Sequence, residues 1–266
     1  MLVLKLNDVN ITFNKGTVNE RKALCEMNLH INKGDFVTVI GSNGAGKSTL
    51  MNAVCGSYEV DSGHILLAGK DVTRLREHQR AKYIGRLFQD PLKGTAPNMT
   101  IEENLGLAYG RGKKRTLAFG ISKRDINVFR EKLASLGLGL EDRMKTPVGL
   151  LSGGQRQALT LMMATIVTPS LLLLDEHTAA LDPKTAGKVL EITNRIVKEN
   201  NITTLMITHN IQNALEYGNR TLVLSQGKLL MDIEGERREN MTTEDLMKLY
   251  ADSTDDVMSD KMILKS

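Results

Sequence analysis

Apolar residues alternate with polar ones over residues 2–13, placing Leu2, Leu4 and Leu6 on one face, and again over residues 23–31, ALCEMNLHI. A period of two belongs to a half-buried strand, so two strands are expected, joined by a polar loop at Asn14–Lys22. A third short run, residues 64–68, is bounded by Asp61-Ser62-Gly63 and Gly69. Together the three suggest an antiparallel sheet at the edge of a larger core. Phe36–Ile40 is a strand-like apolar run instead; it stops at Gly41 and leads through a glycine-rich turn into a helix-compatible stretch ending near Gly56. Tyr83–Phe88 reads as a strand leading to Gln89-Asp90-Pro91.

From about Pro91 to Val167 the period lengthens. Helical patterns cover 101–109 and 125–136, followed by the glycine-rich Leu136–Leu140, and strand patterning is scarce. This predicts a helical lobe inserted into the core. Between Gln157 and Leu174 no residue is charged, but Pro169-Ser170 interrupts the run. It is therefore read as a buried helix, Gln157–Val167, and a buried strand, Leu171–Leu174, not as a membrane span. Strands return at Thr203–Ile207 and Thr221–Ser225. Pro183–Glu199 is expected to be a helix with Asp182 as N-cap and Pro183 at its first position. Thr242 and Thr243 open a last helix to about Tyr250; the acidic tail from Asp252 is expected to be mobile, apart from Met262–Leu264. The expected organisation is a core of residues 1–90 and 168–240, a helical subdomain of 91–167, and a C-terminal helix and tail of 241–266.

Composition adds limits. The 266 residues are 41% hydrophobic, enough for one large domain or a core plus a lobe; with 4% aromatics and no Trp, aliphatic residues and Met must fill the core. The net charge of +4 is small and dispersed, so no nucleic-acid partner is expected. The two cysteines, Cys25 and Cys55, have neither metal-ligand nor disulfide spacing and read as thiols of a reducing compartment. The alternating N-terminus carries Lys5 and Asp8, which argues against a signal peptide or anchor. The basic run Arg111-Gly112-Lys113-Lys114-Arg115 reads as a solvated loop that could also meet anionic lipid.

The candidate chemistry sits at strand ends. Gly41, Gly46, Lys47 and Ser48 fill the pattern G-x-x-x-x-G-K-[ST] between a strand and a helix, the context that marks a phosphate loop. The amides of Gly44, Ala45, Gly46, Lys47, Ser48 and Thr49 would converge on a phosphate, Lys47 on the β- and γ-phosphates, and the Ser48 hydroxyl on Mg²⁺. A nucleoside triphosphate ligand follows. Leu171–Leu174 delivers Asp175, placed to hold Mg²⁺ through water, and Glu176, placed to take a proton from an attacking water. Thr203–Ile207 delivers His209, able to donate to a γ-phosphate oxygen. Gln89 follows a third strand and could sense the metal or the water. Ser152-Gly153-Gly154-Gln155 opens the Gln157 helix, with Ser152 as cap and two glycines exposing its amides as a second anion site. The fold implied is α/β: a mainly parallel P-loop NTPase core with an antiparallel β subdomain and an inserted helical subdomain.

Over residues 2–235 these motifs resemble the ATP-binding cassette (ABC) ATPases. GSNGAGKST, including Ser42 and Asn43, matches the Walker A motif, Gln89 the Q-loop, LSGGQ the signature and LLLLDE the Walker B motif. Ala179-Ala180-Leu181-Asp182 matches the D-loop and His209 the switch histidine. The resemblance implies ATP and Mg²⁺ as ligands and head-to-tail pairing with a second copy, so that Ser152 and Gly154 of one contact the γ-phosphate bound by the other. It also implies an adenine-stacking aromatic near Phe13, for which a plain core role is the alternative. One departure is His177, where most of the family has Pro. Pro97–Lys114 together with EHTAALDP looks like bacterial importer ATPases whose permeases are similar to those for branched-chain amino acids.

The function implied is the ATP-hydrolysing subunit of a membrane importer at the cytoplasmic face of the membrane. Its partners would be polytopic permease subunits, reached through the lobe near Gln89–Thr100, and a substrate-binding protein. The alternatives are the ATPase of an exporter or lipoprotein-releasing system, or a soluble cassette. A single cassette without fused spans disfavours fused exporters, and the missing long coiled-coil insertion disfavours chromosome-maintenance cassettes.

Overall fold

The computed structural model describes residues 1–112 and 120–253. Lys113–Arg115 of the basic run, and the tail with Met262–Leu264, lie outside the described residues. In chain order the strands and helices are β1 (Leu2–Phe13), β2 (Arg21–Asn32), β3 (Phe36–Ile40), α1 (Lys47–Cys55), β4 (Ser62–Leu67), β5 (Lys70–Asp71) and α2 (Glu77–Arg80). Then come β6 (Ile84–Leu87), α3 (Ile101–Tyr109), α4 (Lys123–Ala134), α5 (Gly153–Thr165), β7 (Leu171–Asp175) and α6 (Pro183–Glu199). The last described elements are β8 (Thr204–Ile207), α7 (Ile211–Glu216), β9 (Arg220–Ser225), β10 (Lys228–Glu234), α8 (Gly235–Glu239) and α9 (Thr243–Ser253). It forms two compact units: Met1–Ile84 with the chain from Asn201 onward, and Gly85–Asn200.

The first unit holds an antiparallel sheet in the order β2-β1-β4-β5, as the alternating runs predicted. The alternation is not continuous, however. Leu4 and Leu6 are buried but Leu2 is 37% exposed, and Asp8 and Glu26 take positive φ at facing bulges. Each bulge inserts a residue and swaps the faces, so Val9 and Ile11 are the buried positions beyond Asp8. Asn28 and Asn10 staple the pair: the Asp8 N–H donates to Asn28 Oδ1 at 3.0 Å and the Glu26 N–H to Asn10 Oδ1 at 2.9 Å.

In the same unit β3 runs parallel to both β8 and β9, and β10 returns antiparallel beside β9. All five residues of β3 are buried, as a strand covered on both faces requires. One face carries α7 and α9 through Ile40, Ile211, Ala214, Val223, Ile233, Leu246 and Tyr250. The strand β10 had no expected counterpart, because at this sheet edge only Ile233 is fully buried and no alternation marks it.

The second unit pairs β6 beside β7 and contains α3 to α6. Its central helix is α5, with nine of thirteen residues buried. That helix begins four residues before the expected Gln157, because Ser152 caps it and the glycines are its first turn. The helix α6 has the expected bounds, with Asp182 accepting from the Thr185 N–H at 3.1 Å. No helix of the described residues is long and apolar enough to cross a membrane.

Candidate nucleotide site

The loop between β3 and α1 is shaped by its glycines and its lysine. At Gly41 φ is 153°, and a Cβ there would lie 2.2 Å from the Leu224 carbonyl oxygen. At Gly46 φ is 102° and a Cβ would meet the Ala23 carbonyl at 2.7 Å, so neither position admits a side chain. Lys47 is buried, and its Nζ donates to Gly41 O at 2.7 Å and Ser42 O at 3.0 Å. The loop thus curls around its own ammonium group. Gly46 caps α1 without a side-chain acceptor, and the first turn carries no acid. First-turn amides without a capping side chain, beside a lysine, are chemically suited to a phosphate.

The outer side of the loop is pinned as well. Arg21 Nη2 donates to Gly44 O at 2.8 Å, and the Gly227 N–H donates to Ala45 O at 3.0 Å. A cleft of 470 Å³ lies there, lined by Arg21, Lys22, Lys228 and residues 42–45. Its three cations give this side of the loop a positive field. Phe13, at the end of β1, is half-buried and meets Tyr58 edge-on at 5.3 Å between centroids. Because β8 runs parallel to β3 in register Val39↔Ile207, His209 leaves the sheet at the same end as the phosphate loop. The unit therefore brings together Gly41–Thr49 and His209.

In the second unit, β7 buries four leucines and ends at half-buried Asp175, whose carboxylate lies 3.8 Å from Arg86 on β6. Arg86 also stacks on Phe88, 4.5 Å from the ring. Gln89 is exposed in the loop just beyond. Glu176 has φ of 46°, a left-handed conformation uncommon for a residue with a side chain, and it turns the chain sharply at the strand end. The neighbouring His177 is buried. Its Nε2 lies 3.3 Å from Thr193 Oγ1, whose hydroxyl already donates to Val189 O at 2.8 Å, so the imidazole must be the donor.

Burial pushes the His177 pKa down from 6.5 to about 4. The unfolded chain therefore binds a proton below pH 6.5 that the folded chain refuses until about pH 4. Stability from this group is complete above pH 6.5 and falls as pH drops toward 4. We expect the melting temperature of the wild type to fall more steeply from pH 7 to 5 than that of His177→Gln. Parallel pH profiles would show that the ring is not a buried neutral base.

Ser152 begins α5 with a reciprocal cap: the Gln155 N–H donates to Ser152 Oγ at 3.3 Å, and the Ser152 N–H donates to Gln155 Oε1 at 3.2 Å. Ser152 and Gly153 are exposed. Gly154 faces α6: a Cβ there would lie 2.3 Å from Thr185 Cγ2, while one at Gly153 would be 3.1 Å from Leu181 Cδ2. The beginnings of α5 and α6, with Ser152 and Asp182 as caps, are thereby neighbours. Hydrogen bonds from Thr185 hold the Asp182 carboxylate below its usual pKa.

The fold and its strand-end motifs define an ATP-binding cassette. The family model described as "ABC transporter" matches residues 24–179. The tyrosine transport ATP-binding protein of Clostridioides difficile (strain R20291) is 44% identical over 84% of this chain and 89% of its own length. The phosphonates import ATP-binding protein PhnC of Lactococcus lactis subsp. cremoris (strain SK11) is 34% identical over 93% of this chain and 98% of its own. Among solved structures, the dimeric post-hydrolysis state of the cassette MJ0796 with ADP and Pi superposes with a TM-score of 0.74 at 27% identity, covering 87% of this chain and 98% of that one. The chain belongs to the ABC transporter family, and it is an ATP-binding, ATP-hydrolysing subunit.

Proposed function

We propose that the chain powers the import of an amino-acid-like solute, with an aromatic amino acid such as tyrosine as the first candidate. The observation that carries this is the 44% identity, over 84% of the chain, to a tyrosine transport ATP-binding protein. The working assembly in this reading is two cassettes at the cytoplasmic face of the membrane, two polytopic permease subunits and a substrate-binding protein. The core is residues 1–90 and 168–240, the subdomain 91–167 carries the signature and meets the permease, and 241–266 is a C-terminal extension.

In the proposed site, Gly41–Thr49 cradle the phosphates and Phe13 lies against the adenine. Lys47 neutralises the β- and γ-phosphates, and Glu176 takes the proton of the attacking water. His209 donates to the γ-phosphate, and Gln89 senses the metal or the attacking water. Among the described residues no group of three or more His, Cys, Asp or Glu stands ready to hold a metal. Mg²⁺ carried by nucleotide phosphates needs only a hydroxyl and one or two carboxylates, which Ser48 and Asp175 would provide, with the Gln89 side-chain oxygen as a further candidate ligand. When bound, it would offset charge on the transferring phosphate. Ser152, Gly153, Gly154, Gln155 and Asp182 would face the nucleotide of the second copy.

Replacing His209 by Ala is expected to lower kcat about 100-fold while ATP affinity stays within about twofold, since its partner is the charge that grows in the transition state. Lost affinity with normal turnover would make it a structural histidine. The transport reading is tested by uptake of labelled tyrosine in cells lacking the chain, complemented with wild type or Lys47→Ala. Uptake restored only by wild type supports it. Equal uptake in all three strains overturns the tyrosine assignment, and recovery of only soluble partners from detergent extracts would overturn the transporter role.

A further inference from the structure

The C-terminal helix reaches the phosphate loop. Leu246 and Tyr250 of α9 are wholly buried in the cluster that contains Ile40, the residue before Gly41. From that cluster the Tyr250 hydroxyl extends to the loop, where the Ser42 N–H donates to it at 3.2 Å across 208 positions of sequence. The Gly41–Ser42 peptide is planar and trans, so its N–H and C=O point in opposite directions. On the carbonyl side, Lys47 Nζ donates to Gly41 O at 2.7 Å. One rigid plane thus carries Tyr250 on one edge and the Lys47 ammonium on the other. A Cβ at Gly41 would lie 2.2 Å from the Leu224 carbonyl oxygen, so only glycine lets the chain pass here.

We propose that Tyr250 is a positioning residue of the ATP site. Its hydroxyl fixes the Gly41–Ser42 peptide and, through it, the carbonyl that anchors Lys47, so this one side chain of α9 takes part in nucleotide binding. The proposal rests on the reading of Gly41–Thr49 as the ATP phosphate loop. Tyr250→Phe keeps the ring in its cluster and leaves the Ser42 N–H without this acceptor, a loss of about one hydrogen bond. Any event that draws α9 off the cluster has the same consequence for ATP.

The test compares the full chain, Tyr250→Phe and Leu246→Val, which trims the same cluster without touching the loop. Binding is read with a fluorescent mant-ATP probe, alongside KM and kcat for ATP and the melting temperature. Tyr250→Phe is expected to raise Kd and KM about 3- to 10-fold, the equivalent of one hydrogen bond, with kcat lowered by less than KM is raised. Leu246→Val is expected to lower the melting temperature at least as much and leave Kd at the wild-type value. Normal wild-type binding with an unaltered Kd in Tyr250→Phe overturns the positioning role alone. So does a Kd that merely tracks melting temperature across both variants. A wild-type chain that binds no ATP overturns the phosphate-loop reading and this one with it.

Discussion

Lys47→Ala is expected to reduce kcat/KM for ATP by at least about 100-fold while leaving the chain folded. The ammonium is buried inside the loop, and its position is set by Gly41 O and Ser42 O. A charge held in place needs no reorganisation when phosphate charge develops, which is why its loss falls on turnover as well as on affinity. Folding has less to lose. Burying an ammonium carries a desolvation penalty, and its two carbonyl partners lie in a loop at the end of the sheet. The melting temperature of Lys47→Ala is therefore expected to stay close to wild type. Steady-state hydrolysis at the wild-type rate would remove the phosphate-loop assignment, and a chain that no longer folds would show the lysine to be structural.

Glu176→Gln is expected to produce a long-lived, ATP-dependent homodimer, and the wild-type chain is expected to stay largely monomeric in the absence of a permease. Glutamine keeps the shape and most hydrogen bonding but cannot accept a proton, so bound ATP would persist. Residue 176 sits at φ of 46°, a backbone conformation that Gln tolerates as well as Glu does, so the variant adds little strain of its own. The helix start that would face a second copy is already formed. Ser152 Oγ accepts the Gln155 N–H and still has its own proton to donate, and Gly153 leaves the helix start open. Adding Ser152→Arg would place a bulky cation at this exposed cap and break the dimer, at a cost to the fold of about 1 kcal/mol for the lost cap. Size-exclusion chromatography with multi-angle light scattering, with and without ATP, reads both states. Wild-type hydrolysis in Glu176→Gln would show that another group is the base. An inactive variant that stays monomeric at high protein and ATP concentration would mean that closure needs the permease or a different cassette.

The parts of this protein legible in sequence are those whose chemistry is local. Gly41, Gly46 and Lys47 lie within one turn, and the requirement for missing side chains and a near cation is written in consecutive residues. The caps Ser152 and Asp182 are equally local, because a cap bonds to an amide three residues on. Four leucines before Asp175 announce a strand buried on both faces. Tertiary structure decided what depends on which surfaces meet. Alternation could not reveal the paired bulges at Asp8 and Glu26, since a bulge is stabilised by the facing strand and shifts every later residue to the other face. Nor could it reveal β10, whose place at an edge leaves it half-buried. Gly154 reads in sequence as an exposed helix start, whereas in the fold it is a close-packing point against Thr185. No local pattern in the last helix marks Tyr250 as a partner of Ser42, because only the packing of α9 on the end of β3 carries its hydroxyl to the phosphate loop.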